Sequence, residues 1–144
     1  MEDKSEQILE FLKKNSKLSL RQLAKKAGIP LTTAHNRIKK MQEEGVIKNY
    51  SVEVDYNKLG FGLCAYIMAL IKHDSTHKSQ QEIAKKILKL SFVESIDIIT
   101  GEFDLLIKVR AKNIPQLNKL ITKELRNIEG IDKTTTLFVL EEMN

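Results

Sequence analysis

Residues 11–42 read FLKKNSKLSLRQLAKKAGIPLTTAHNRIKKMQ, and the fold of the first third of the chain follows from them. These 32 residues hold nine Lys or Arg and no Asp or Glu. Ser19 and Gln22 have the Ser-x-x-Gln spacing of a capping box, which marks a helix start. Leu20, Leu23, Ala24 and Ala27 then recur at helical spacing, and Gly28 follows as a residue that takes positive φ at a helix end. The pattern predicts a helix over 20–27 with Arg21, Lys25 and Lys26 on its outer face. Gly28-Ile29-Pro30 is a turn. A second helix is expected over about 31–44, with Leu31, Ala34, Ile38 and Met41 as one inward stripe. Thr32, Thr33, His35, Asn36, Arg37, Lys39 and Lys40 are left to face solvent or a ligand.

Working outward, Asp3 and Glu6 form another capping pair, and Ile8, Leu9, Phe11 and Leu12 give an apolar stripe over about 3–14. Two helices joined by a short glycine-bearing turn and packed on a first helix make a helix-turn-helix. In that arrangement the second helix lies in the major groove of DNA. Thr and Asn can pair with base edges there, and Arg can grip guanine. Basic residues such as Arg21, Lys25, Lys39 and Lys40 suit phosphates, which set register rather than sequence preference. The candidate DNA contacts are thus Ser19, Arg21, Lys25, Thr32, Thr33, His35, Asn36, Arg37, Lys39 and Lys40.

After Gly45 the segment VIKNYSVEVD alternates like a strand, with Ile47, Tyr50, Val52 and Val54 on one count. It would form a wing or a connector, and DYNKLG at 55–60 reads as the boundary turn. From 61 onward the expected order is strand 61–72, helix 80–90, strands 92–100 and 105–109 around a tight GEFD turn, a helix capped by Asn113, and strand 131–140. Pro115 falls in that helix's first turn, where a missing N–H costs nothing. β-α-β-β-α-β is the ferredoxin-like order. The class is therefore α+β: residues 1–46 as a helix-turn-helix domain, 47–60 as strand and linker, and 61–144 as a ferredoxin-like domain. Both of its helices would cover one side of the sheet. The other side would be apolar, and an exposed apolar sheet face marks an interface. Two copies are expected to pair through it, which would also bring two reading helices about one DNA turn apart.

Composition narrows the class further. The chain has 144 residues, 42% hydrophobic and 30% charged, as in a globular protein. Residues 1–50 carry 11 basic and six acidic side chains and residues 51–144 carry 13 of each, so the whole net charge of +5 belongs to the first third. That asymmetry points to an anionic polymer, double-stranded DNA, as partner. The longest apolar run, 61–71, has 11 residues, where a spanning helix needs about 20. No membrane segment and no secretory signal are expected. A single cysteine, Cys64, fits a reducing cytoplasm and sits in an apolar run, so it reads as core.

The segment LSLRQLAKKAGIPLTTAHNRIKKMQEEGVIKNY resembles the DNA-binding half of the Lrp/AsnC, or feast/famine, transcriptional regulators. VDYNKLG, TGEFDLLIKV and GIDKTTTLFVLE are similar to that family's effector-sensing half. The resemblance implies a sequence-specific transcriptional regulator. It implies a homodimer, often assembled further into tetramers or octamers, and control of transcription by an amino acid or related small effector bound at subunit interfaces. The sequence shows no Gly-rich phosphate loop, nucleophile elbow or paired catalytic constellation, so no enzyme and no cofactor are expected. Carried over by position, the family's helix-turn-helix motif falls on about 20–39, its Gly-(Asp/Glu)-(Tyr/Phe)-Asp turn on Gly101, Glu102, Phe103 and Asp104, and its Thr-x-Thr pair on Thr134 and Thr136. The last two line the effector pocket in the family. Carboxylates at Glu102 and Asp104 would meet an ammonium, and the two hydroxyls a carboxylate. Two positions depart from the family pattern: Pro30 stands where Ser commonly caps the reading helix, and Glu102 stands where Asp is common.

Three other readings are open to these residues. GEFD alone can be a plain β-turn, with Gly for positive φ and Asp for a turn hydrogen bond. The protein would then bind DNA, as a regulator or an architectural protein, without an effector. A ferredoxin-like sheet can bind RNA, but the strands lack closely spaced aromatics on one face. His73, Asp74 and His77 have one metal-like spacing, without a cysteine or a glutamate at the spacing of zinc proteases.

Overall fold

The computed structural model describes residues 3–73 and 79–143. It divides into two compact units, Met1–Val54 and Asp55–Asn144. Asp74 and His77 of the His73–His77 spacing lie outside the described residues.

The first unit has three helices: α1 (Lys4–Lys14), α2 (Leu20–Ala27) and α3 (Leu31–Glu43). At α1, Asp3 Oδ1 accepts the Ser5 N–H at 3.1 Å. At α2 the capping box is complete: Ser19 Oγ accepts the Gln22 N–H at 3.2 Å, and Gln22 Oε1 accepts the Ser19 N–H at 2.8 Å. Gly28 ends α2 at φ 65°, a left-handed conformation that costs other residues about 1–2 kcal/mol. Pro30 precedes α3 and supplies no side-chain cap. Ile8, Leu12, Leu23, Ala24, Ala27, Ala34 and Met41 make one buried cluster, with Ile38 half-buried at its edge.

Two expectations for this unit fail. Leu31 was expected inward and is 45% exposed. Helical side chains lean toward the N-terminus, so the first residue of α3 overhangs the Gly28–Pro30 turn instead of the core. Residues 46–55 form no strand. Ile47 folds back, donating its N–H to Met41 O at 3.0 Å and packing on the helices. Beyond it Val52 is 77% exposed. Alternation makes a strand only where a second strand supplies the ladder, and among the described residues none pairs with this segment.

The second unit is a four-stranded antiparallel sheet, ordered β2-β3-β1-β4. Its strands are β1 (Leu63–Ile71), β2 (Val93–Ile98), β3 (Leu105–Ala111) and β4 (Ile131–Phe138). Two helices complete it: α4 (Gln80–Leu88), and α5 (Ile114–Leu120), which runs on as a π-helical turn over Ile121–Leu125. Capping follows the sequence, with Ser79 and Glu82 closing a full box on α4 and Asn113 capping α5. β1 is central, as its unbroken apolar run implied. Ala65, Ile67, Ala69 and Ile71 share a buried cluster with Leu105, Ile107 and Val109 of β3 and with α4 and α5 side chains. Both helices therefore cover one face, the ferredoxin-like build.

The opposite face carries Tyr66, Met68 and Leu70 of β1, with Leu106 beside them on β3. Only part of it is apolar, which corrects the expectation of a uniformly apolar face. Arg110 donates from Nε to Glu94 at 2.6 Å and through both Nη atoms to Glu142 at 2.7 and 2.8 Å. Lys108 lies 3.5 Å from Glu94 and 3.4 Å from Glu142. The Tyr56 ring stacks on the Arg110 guanidinium at 4.3 Å. Cys64 is buried, 3% exposed, and burial pushes its thiol pKa up, as a core cysteine's should be.

Candidate nucleic-acid interface and effector turn

The reading face of the first unit is set by which side of α3 is buried. Ala34 and Met41 point inward, fully and almost fully buried. The far side then carries Thr32, Asn36 and Lys39, flanked by His35 and Lys40, and all five are exposed. Thr33 is half-buried at the margin. Lys39 and Lys40 reach Glu43 and Glu44 one turn on, both at 3.8 Å between exposed side chains. Exposed helix pairs at such range contribute a few tenths of a kcal/mol, so both ammonium groups are free to exchange a glutamate for a phosphate. Arg21 and Lys25 are exposed on α2, while Ser19 is committed to the capping box. A groove of about 410 Å³ runs beside α3, lined by Leu12, Leu23, His35, Lys39 and Tyr50 among others.

Arg37 is placed differently from the rest of the sequence-derived set. It lies one turn from both Ala34 and Met41, on the inward margin of α3. Its Nη1 donates to Asp3 Oδ1 at 3.0 Å and to Ser5 Oγ at 2.9 Å, at the start of α1. Asp3 and Ser5 were not among the candidate residues, and this contact is what joins them to α3. The Ser5 backbone N–H, together with Arg37, holds the Asp3 carboxyl below the usual carboxylate range.

In the second unit, Gly101 to Asp104 form the β2–β3 turn. Gly101 sits at φ 118°, open to glycine and strained for other residues. The turn is closed by Ile99 N–H donating to Asp104 O at 2.9 Å. Glu102 is exposed and Phe103 half-buried. Asp104 N–H donates to Ala69 O at 3.0 Å, and Thr134 is the register partner of Ala69 on β4. The turn and Thr134 therefore flank one residue of β1, separated by about two strand spacings, ~10 Å. Thr136 follows opposite Ile67 on the same side of β4. The two elements expected to hold an effector are thus neighbours.

Asp104 itself is occupied. β1 runs on to Ile71 beyond its last β3 partner, where Ala69 meets Leu105. The Ile71 N–H then has no β3 carbonyl to meet, and Asp104 Oδ2 accepts it at 2.8 Å. Asp104 Oδ1 accepts Gln80 Nε2 at 3.1 Å, which ties the turn to the start of α4. Of the two carboxylates expected to receive an ammonium, the exposed Glu102 has no such commitment among the described residues.

A helix-turn-helix unit with a basic outward helix, followed by a ferredoxin-like unit, is the build of a DNA-binding regulator with a second, sensing domain. Residues 64–144 match the family model of the Lrp/AsnC ligand binding domain, and residues 1–48 match a model of winged helix-turn-helix DNA-binding. The chain belongs to the Lrp/AsnC family of HTH-type transcriptional regulators. It is 40% identical over 131 residues to an uncharacterized HTH-type transcriptional regulator of Pyrococcus furiosus, covering 90% of this chain and 86% of that one. It is 33% identical over 141 residues to the HTH-type transcriptional regulator FL11 of the same organism, covering 98% and 90%. Among solved structures, E. coli AsnC superposes with a TM-score of 0.82 at 28% identity, covering 99% of this chain and 93% of that one. A transcriptional regulator of Neisseria meningitidis in complex with L-Met shares the fold, with a TM-score of 0.91 at 21% identity and coverage of 100% and 92%.

Proposed function

We propose that this regulator reads duplex DNA through Thr32, Thr33, His35, Asn36, Lys39 and Lys40, with Arg21 and Lys25 on phosphates, and that an amino acid modulates it. The carrying observation is the outward face of α3, exposed and polar within a window that holds nine basic residues and no acidic one. Asn36 suits adenine and the threonines suit base edges or the thymine methyl group. Lys39 and Lys40 at the margin suit the backbone.

The effector reading rests on the neighbouring Glu102 turn and Thr134–Thr136 edge. Glu102 offers a carboxylate for an ammonium, and the threonine hydroxyls offer donors for a carboxylate. The match to a ligand binding domain supports it, as does the L-Met bound in the Neisseria regulator of the same fold. The partly apolar open sheet face supports a homodimer that assembles further into tetramers or octamers and carries two reading helices. The single, buried cysteine supports a cytoplasmic setting.

Selection of bound fragments from a genomic duplex library, with and without a panel of amino acids, tests both parts. Enrichment of a shared motif, altered by at least one amino acid, is the expected outcome. With six to ten phosphate contacts, affinity for the enriched duplex should fall ~10³- to 10⁵-fold between 50 and 200 mM salt. Salt-insensitive binding would remove the electrostatic basis of the reading. A motif unchanged by every amino acid would leave a DNA-binding regulator without this effector class.

A further inference from the structure

Arg37 was read from the sequence as a DNA contact, and its geometry assigns it another task. We infer that Arg37 is a positioning residue that clasps the reading helix α3 to the N-terminus of α1, and that it acts on DNA recognition through the helix angle, without touching a base. The inference rests on the DNA-binding reading above.

Three observations carry it. One nitrogen, Nη1, is shared between Asp3 Oδ1 at 3.0 Å and Ser5 Oγ at 2.9 Å, so the guanidinium is directed at α1 by two acceptors. Its Nε is sealed from solvent with no hydrogen-bond partner. An arginine swinging freely from a helix would keep that nitrogen hydrated; its occlusion means that the side chain lies along the protein surface. Arg37 also stands one turn from both buried anchors of α3, Ala34 and Met41. To reach a base edge it would have to leave Asp3 and Ser5 and turn around the helix.

The clasp is cheap in energy, since the side chains of Asp3 and Arg37 are 58% and 37% exposed and exposed pairs contribute little. Its effect is geometric. α3 is held inward by Ala34 and Met41, and a small alanine allows a neighbouring helix to roll. A polar tie beside them fixes the rotation of α3 about its own axis. Base-edge hydrogen bonds weaken steeply with distance and angle, whereas lysines on phosphates tolerate small rotations. Loosening the clasp should therefore lower discrimination more than total affinity.

The test compares affinity for a duplex selected by the wild-type chain with affinity for an alternating dI·dC duplex. Asp3→Ser keeps a shorter side-chain oxygen to cap α1 and withdraws both the charge and the Oδ1 that Arg37 uses. Asp3→Ser and Arg37→Ala should each lower the ratio of the two affinities by about three- to tenfold, the range of a modest hydrogen-bond loss. The double variant should be no worse than Arg37→Ala alone, because both changes open one contact. Arg37→Lys, which keeps the charge within reach of Asp3, should recover part of the ratio. Asp3→Ser makes the comparison sharp. If Asp3 acted only as a nearby negative charge, neutralising it would tighten both duplexes and leave the ratio alone. An unchanged ratio in Asp3→Ser overturns the clasp, and so does an Arg37→Ala loss confined to one base-pair position. A wild-type chain that selects no duplex overturns the DNA-binding reading as well, so the two failures are told apart by the first step.

Discussion

Replacing Asp104 by alanine should unfold the end of the sheet before it tells anything about a ligand. The carboxylate accepts the Ile71 N–H at 2.8 Å and the Gln80 amide at 3.1 Å. Hydrogen bonds to a charged group contribute about 1.5–3 kcal/mol each. Taking the lower figure for both, because Asp104 is half-buried, gives about 3 kcal/mol for the second unit. With a urea m-value of about 2 kcal/mol/M, the midpoint should fall by about 1.5 M. Local exchange is the more direct assay. The Ile71 amide, deprived of its one acceptor and the ~1.5 kcal/mol it supplies, should exchange about tenfold faster, since 1.4 kcal/mol is a factor of ten. Asp104→Asn keeps an oxygen for Ile71 and should cost about half as much. An Asp104→Ala chain with an unchanged midpoint and an unchanged Ile71 exchange rate would refute the reasoning and return Asp104 to the ligand as a free carboxylate. Lost effector response in Asp104→Ala therefore does not identify a contact. Glu102→Gln, at a carboxylate that takes no hydrogen bond among the described residues, is the direct test of the proposed ammonium contact.

Two further perturbations read other parts of the fold. Gly28→Ala places a Cβ where nothing lies within 4 Å, so its cost is purely the left-handed backbone at φ 65°. That should be about 1 kcal/mol after the smaller entropy of the unfolded alanine chain is allowed for, seen by calorimetry as a lower transition for the first unit only; an unshifted transition would mean that the turn relaxes. At Glu142, the hydrogen bonds from Arg110 hold the carboxyl below its ordinary 4.5. A depressed folded value stabilises above pH 4.5 and is lost as the pH falls through the folded value. The resonances of Leu140 and Met143 should therefore shift below pH 4.5 as the C-terminal segment comes free. Glu142→Gln should show the freed positions already at pH 7; titration of wild type and variant alike would refute the link.

Most of the architecture was legible because its signals are local. The box at Ser19 and Gln22, the glycine at 28, the Asn113 cap and the apolar run of β1 are each readable within a few residues, and each appears where its spacing put it. The failures are of another kind. Residues 46–55 alternate correctly, but alternation describes one strand and a ladder needs two. The open sheet face looked apolar because β1 alone was read, and β1 does carry Tyr66, Met68 and Leu70 there. The charge on that face comes from β2, β3 and the C-terminal segment, which only the folded register brings together at Arg110.

Arg37 and Asp104 share one lesson about sites. Each was assigned to a ligand by residue type and by a short motif, and both indications are sound as far as they go. Each also has its partner far along the chain: Asp3 is 34 positions from Arg37, and Ile71 is 33 from Asp104. A polar side chain on a candidate surface either meets the ligand or braces the element that does. The two have the same local sequence, since bracing residues must stand beside reading residues to be useful. Distance in the chain hides the brace, and only the hydrogen-bond partner separates the cases. By that criterion Asn36 and Glu102 have exposed groups that no hydrogen bond among the described residues takes up, and Lys39 and Lys40 hold only ion pairs at 3.8 Å, while Arg37, Asp104 and the capping Ser19 have spent theirs on the fold.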